Sequence, residues 1–247
     1  MTDNFIWKNG EKAAVSLTFD DARISQIDTG MEIFSRYDAK ATFYVSPGAL
    51  KERTEGWRFA VQAGHEIGNH TYTHPCSGNF DFSKDTALEN YTLNQMDGDL
   101  QQADDEIEKL LGIKPVTFAY PCGQSYVGRG KDTRSYVPLV AERFLAGRGF
   151  LAECDNDPLG CDLSRLNSYS SDSLDADTLI TFVDDTVKKG HWLILAGHEI
   201  GNPEIRQTTG AGVIEQLITY IMENKQDLQL VHLAVAPSLV KSLKIDL

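Results

Sequence analysis

Ala14-Val15-Ser16-Leu17-Thr18-Phe19 and Ala41-Thr42-Phe43-Tyr44-Val45 are short β-rich runs, and Ile24, Ile27, Met31, Ile33, Phe34 and Tyr37 recur between them at roughly helical spacing. Strand, helix and strand in that order make a crossover unit, and the pattern repeats along the chain. A third short run ends at His65-Glu66-Ile67, and residues 86–111 carry Leu93, Met96, Leu100, Ala103, Ile107 and Leu110 on one stripe, with Gly112 just past its end. Strand Val116–Phe118, helix 135–146, strand Phe150–Ala152, helix 174–189, strand Trp192–Leu195, helix 211–224 and strand Leu230–Leu233 follow. Seven strands alternating with helices predict an α/β fold, a parallel sheet wound with crossover helices. Closed into a barrel, such a sheet places its active site at the C-terminal ends of its strands.

The 247 residues are 41% hydrophobic and 24% charged, an ordinary globular composition that rules out disorder. No linker-like stretch divides them, so residues 1–247 are expected to form one domain. Lys and Arg number 23 against 36 Asp and Glu, a net charge of −13, which disfavours a nucleic-acid partner. No apolar run approaches the roughly 20 residues of a membrane helix. The opening Met-Thr-Asp-Asn-Phe lacks the regions of a signal peptide. A cytoplasmic location is the expectation from this, and a secreted chain already trimmed would read the same. The four cysteines form no C-x-x-C; four free thiols are expected, with a Cys154–Cys161 loop bridge as the alternative.

One heptapeptide occurs twice: Ala63-Gly64-His65-Glu66-Ile67-Gly68-Asn69 returns as residues 196–202. The flanks do not match, which excludes a solenoid, and both copies read as strand-to-loop exits.

Candidate chemistry gathers at strand ends. Asp20 and Asp21 end the first run; neighbouring side chains on a strand face opposite ways, but a turn there would aim both into one site. Acidic pairs also serve ordinary turns. His70 and His74 would stand about 13 Å apart on a strand, too far to chelate, whereas on a helical turn both ring nitrogens reach a metal at about 2.0–2.1 Å. Metal binding and chance spacing both remain open for this pair alone. Ala119-Tyr120-Pro121-Cys122-Gly123 makes a tight exit whose backbone N–H groups could face the site, and His198 closes the apolar run Trp192–Leu195.

Together these segments resemble the polysaccharide deacetylase superfamily (carbohydrate esterase family four, NodB-homology type). Thr18–Asp21 match its Thr-Phe-Asp-Asp motif, and His70, Thr71 and His74 match its His-(Ser/Thr)-x-x-His motif. Ala119–Cys122 align with its Arg-x-Pro-Tyr motif and Trp192–His198 with its last strand, while Lys40–Val45 look like its second strand.

The resemblance implies a distorted (β/α)7 barrel and a divalent metal, zinc above all, held by Asp21, His70 and His74. It makes Asp20 the general base, His198 the general acid and the Cys122 backbone N–H an oxyanion donor, and it places Tyr120 and Pro121 against the substrate. Such an enzyme would be a hydrolase removing N- or O-acetyl groups from a carbohydrate; the alternatives are a same-fold amidohydrolase acting on a small amide or cyclic imide, and a non-catalytic carbohydrate-binding relative. Three departures stand out. The family's Arg, which orients the base, is Ala119 here, so either another cation such as Arg23 or Arg165 replaces it or Asp20 is less well positioned. The aromatic after Pro is Cys122. The Asp that tunes the acid falls among Asp155, Asp157 and Asp162, without a nearby Trp.

Overall fold

In the computed structural model, which describes Trp7 and residues 10–234, strand β1 (Ala13–Phe19) is buried along its whole length. A π-helical turn then leads into α1 (Met31–Arg36) and β2 (Thr42–Val45). Helices α2 (Pro47–Leu50) and α3 (Thr54–Gln62) precede β3 (Glu66–Asn69), and α4 (Leu93–Leu111) precedes β4 (Thr117–Ala119). A hairpin of β5 (Tyr126–Val127) and β6 (Arg134–Ser135) leads to α5 (Val137–Arg143) and β7 (Ala146–Arg148). After β8 (Tyr169–Ser170) come α6 (Ala176–Lys189), β9 (Trp192–Gly197), the pair β10 (Glu199–Gly201) and β11 (Thr208–Gly210), α7 (Ala211–Glu223) and β12 (Leu228–Leu230).

The main sheet runs β7-β4-β3-β2-β1-β9-β8, with every pairing parallel. A parallel bridge between Arg148 and Leu166 draws its two ends together, so the sheet curls into an incompletely closed barrel. Strand β1 pairs with β9 from Ala14 to Phe19, but its other edge is shared: β12 takes Ala13–Val15 and β2 takes Thr18 and Phe19. That split distorts the barrel.

Strand alternation fixes the two faces of the sheet. Val15, Leu17, Phe19, Phe43, Val45, Ile67, Leu193 and Leu195 face outward and form the main core with Trp57, Ile107, Leu179, Val183, Leu217 and Ile221 of the helices. Ala14, Tyr44, Ala119, Ala146, Trp192 and Ile194 face the lumen. The registers align these inward positions from strand to strand, Thr18 with Ala196 and Thr42, and Ala119 with Arg148. Continued past the strand ends, the inward phase runs to Asp20, His70 and His198.

Helix α4 starts with its apolar stripe at Leu93, seven residues after the expected start at residue 86. Thr92 and Gln95 close a capping box there, and Gly112 ends the helix in the left-handed region with φ 72°. The strand expected at Phe150–Ala152 is instead β7, because the apolar Phe144-Leu145-Ala146 follows α5 directly and passes into the strand without punctuation. Periodicity alone cannot divide such a run. Residues 150–152 form a loop, with Leu151 exposed and at φ 57°. Strand β8, only two residues long, is too short to leave a periodic signal.

His65 stands before β3, not at its C-terminal end, so the two heptapeptide copies occupy opposite ends of strands. Its Nδ1 accepts the Ala41 N–H at 3.1 Å, and Phe34 and Phe43 pack edge-on against the ring. Burial, helped by the positive charge of Lys40, pulls the imidazole down to about 4 from 6.5. His65→Ala is expected to cost about 1–3 kcal/mol at neutral pH, from the orphaned N–H and the void. Because the folded pKa is lowered, the native protein itself loses His65's contribution as pH falls from 6.5 towards about 4. The stability gap between wild type and variant in urea should therefore narrow over that window.

Candidate active site

At the C-terminal end of β1, Asp20 continues the inward phase, and Asp21, at φ 74°, turns back so that it shares the same mouth. The His70–His74 segment is not the helical turn its spacing predicts. Thr71 and His74 adopt left-handed φ values of 67° and 51°. Asn69 Oδ1 accepts the Thr71 N–H at 2.7 Å, and the Asp99 carboxylate on α4 accepts the N–H groups of Tyr72 and Thr73 at 2.6 and 3.3 Å. These bonds bring the two imidazoles to 4.9 Å between centroids.

Asp21, His70 and His74 each offer one ligand atom within 4.8 Å of the others. His70 Nε2 and His74 Nε2 lie 3.4 and 3.2 Å from Asp21 Oδ1. Ligands bonded at about 2.0–2.1 Å around a tetrahedral ion stand about 3.4 Å apart, so this triad fits such an ion with one position left open. The donor chemistry agrees. His70 Nδ1 donates to the Ala119 carbonyl at 2.8 Å, which leaves Nε2 facing Asp21 as the atom to bind an ion, the outer-shell arrangement common to metal-binding histidines. Burial would raise the Asp21 carboxyl, but His70 and His74 outweigh it and hold the carboxyl far below the usual range.

Asp20 is buried against Arg148, whose Nη2 donates to Asp20 Oδ1. The guanidinium also donates from Nη1 to the Gly149 carbonyl at 2.8 Å and lies 5.0 Å over the Tyr44 ring. Across the mouth, His198 Nδ1 meets Asp172 Oδ2 at 2.6 Å, and the other Asp172 oxygen accepts the His198 backbone N–H at 3.1 Å. Burial would lower the His198 imidazole, but Asp172 and the more distant Asp20 raise it above its ordinary value. A cavity of about 830 Å³ opens over these groups and includes Ser46, Cys122, Phe150 and Arg206 in its walls.

The sequence model of the polysaccharide deacetylase family matches residues 8–136. The chain belongs to that family. It is 30% identical over 144 residues to a gellan lyase from a Bacillus species, and 31% identical over 62 residues to the peptidoglycan-N-acetylglucosamine deacetylase PgdA of Listeria monocytogenes. These matches cover 58% and 25% of this chain but 5% and 13% of the relatives, so the chain spans a small part of their length. A solved Mycobacterium smegmatis chain classed with the polysaccharide deacetylases superposes with a TM-score of 0.73 at 16% identity, covering 98% of this chain and 94% of the other, which shows the shared fold.

Within this deacetylase-family frame, two of the three departures from the motifs are resolved by register. Arg148 is the Cα partner of Ala119, so the cation missing from β4 comes from the next strand. Arg23 does not replace it: its Nη2 lies 2.9 Å from Asp21 Oδ2, on the side away from the histidines. Arg165 borders a separate small cavity. The acid's partner is Asp172, not Asp155, Asp157 or Asp162. Strand β8 pairs Ser170 with Ala196, and two further residues bring Asp172 opposite His198. Asp155 holds Lys189 and His191, and Asp157 and Asp162 accept backbone N–H groups in their own turns.

Cys122, at φ 53°, is joined to Cys76, which overturns the expectation of four free thiols; Cys154 and Cys161 are not joined to each other. The bridge ties the loop after His74 to the Pro121–Gly123 turn. Tyr120 and Pro121 are buried and are not among the residues lining the cavity over the triad, and the Tyr120 hydroxyl donates to the Ser164 carbonyl at 2.7 Å. Sequence reading also passed over Gln26, whose buried amide donates to the Asp20 and His198 carbonyls at 2.6 and 2.9 Å and clamps two strand ends together.

Arg148→Met would leave the Asp20 charge buried alone. Removing one partner of a buried ion pair costs about 3–5 kcal/mol, and urea unfolding should register a loss of that size.

Proposed function

We propose that this chain is a divalent-metal-dependent hydrolase that removes N- or O-acetyl groups from a carbohydrate, with zinc as its metal. The observation that carries this reading is the Asp21–His70–His74 triad with a buried Asp20–Arg148 pair on one side and the His198–Asp172 pair on the other. A cation held by the triad would polarise the acyl group and acidify water. Asp20, aligned by Arg148, takes the proton of the attacking water. The Cys122 backbone N–H donates to the developing oxyanion. His198, held in one orientation by Asp172, gives its proton to the departing amine or alcohol.

The disulfide suits an oxidising compartment, which is where we place the chain's activity. Acetate release from a panel of acetylated oligosaccharides, with and without added zinc, tests the reading; metal-independent release, or turnover of cyclic imides alone, would overturn it.

The acid's role has a separable signature. An amine is too basic to leave unprotonated, whereas an aryl alkoxide leaves readily, so His198→Ala should lose amide cleavage far more than aryl acetate cleavage. Asp172 and the more distant Asp20 raise the His198 pKa above its ordinary value. The alkaline limb of the amide profile should therefore move down in Asp172→Asn. Equal losses on both substrates, or an unmoved limb, would argue against proton donation from His198.

A further inference from the structure

The loop that follows His74 exposes two aromatic rings beside the site. Phe80 and Phe82 are 42% and 69% exposed, yet stacked on each other at 5.3 Å with 20° between their planes. Both border the cavity that holds the Asp21–His70–His74 triad. The Phe82 ring lies 6.2 Å from the His74 ring, and Phe80 lies beyond it, so the pair steps outward from the reacting centre.

Leaving two phenylalanines in water is unfavourable by the area each would otherwise bury, and the loop is pinned so that they stay there. The Cys76–Cys122 bridge anchors its start. Ser83 Oγ accepts the Cys76 N–H at 2.8 Å and donates to the Cys76 carbonyl at 2.9 Å. Glu89 accepts the Ser77 hydroxyl at 2.6 Å and the Gly78 N–H at 2.9 Å. Apolar surface held rigidly at the mouth of a polar cavity marks a ligand contact, and the rigidity lowers the ordering cost of binding.

We propose that Phe80 and Phe82 form a stacking platform for the pyranose ring adjoining the acylated sugar, which makes the preferred substrate an oligo- or polysaccharide. This rests on the carbohydrate reading of the site. A pyranose presents a flat face of C–H bonds polarised by neighbouring oxygens, which suits the negative face of an aromatic ring, while its hydroxyls point outward to polar walls. Arg206 and Gln207 supply such polar groups on the same cavity. An acyl chain would need an enclosed apolar slot, and an open stacked pair does not provide one.

The test compares kcat/KM on an N-acetylated tetrasaccharide, the matching monosaccharide and an aryl acetate. In Phe80→Ala/Phe82→Ala, the ratio of tetrasaccharide to aryl acetate activity should fall on the order of tenfold or more, mainly through KM, as expected for losing a buried ring contact. The ratio of monosaccharide to aryl acetate activity should change little, and Phe80→Tyr/Phe82→Tyr should restore the tetrasaccharide preference. An unchanged tetrasaccharide ratio in a protein that deacetylates the tetrasaccharide would overturn the platform alone. Parallel losses on all three substrates would do the same by assigning the pair to the catalytic centre. A wild-type protein that cleaves the aryl acetate but no saccharide would overturn the carbohydrate reading itself.

Discussion

Asp20→Asn should lower kcat/KM on an acetylated sugar by roughly 10²–10⁴-fold while leaving the bound metal in place, the range typical for loss of a general base. The side chain keeps its volume, and its carbonyl oxygen can still accept from Arg148, so the geometry around Tyr44 and Gly149 is kept. What disappears is the proton acceptor. The separation of roles rests on backbone geometry: Asp20 stays in the inward phase of β1, whereas Asp21 reaches the histidines only because its φ is 74°. The neutral amide also leaves the Arg148 charge uncompensated, so urea unfolding belongs beside the kinetics to separate lost chemistry from lost folding. Metal loss with activity retained would exchange the roles of the two carboxylates.

Removal of His74, a ligand in the proposed metal site, should have an effect at least as large. Three protein ligands leave little redundancy, so dialysed His74→Ala is expected to hold a small fraction of the wild-type zinc and to lose nearly all turnover. His74 is the ligand to choose because it is partly exposed, with 28% of its side chain accessible, whereas His70 is buried and bonded to the Ala119 carbonyl. Its loss should disturb the fold less. Chelation of the wild type followed by zinc addition should reproduce the loss and reverse it. Full metal retention by His74→Ala would remove the triad from the mechanism.

Much of this is legible in the chain itself. Ala14–Phe19, Ala41–Val45 and Trp192–Leu195 declare strands by composition, and the helices alternating with them make those strands parallel. Asp20, Asp21 and His198 can be named because each lies at or just past the end of a strand run, and His70 and His74 by their spacing together with the family motif they resemble; the structure brings all five to one mouth. Alternation explains why: the side-chain period of two carries the inward phase from Ala14 to Asp20 and from Trp192 to His198.

Pairings across the sheet are not legible there. Arg148 meets Asp20 because β7 aligns Arg148 with Ala119, and Asp172 meets His198 because β8 aligns Ser170 with Ala196. No local pattern in residues 146–148 or 169–172 reports those registers. Cys76 and Cys122, 46 residues apart, meet because two loops converge over one strand end. The repeated heptapeptide makes the same point with identical letters. In residues 63–69 it leaves a helix and enters β3, burying Asn69 against α4. In residues 196–202 it leaves β9 through His198 into the mouth, and Asn202 is exposed. Alternation and apolar spacing act over a few residues, so the chain alone shows which segments form strands and which side chains share a face. Hydrogen-bonded register and loop convergence join residues far apart, so which strand end meets which is settled only in the folded molecule.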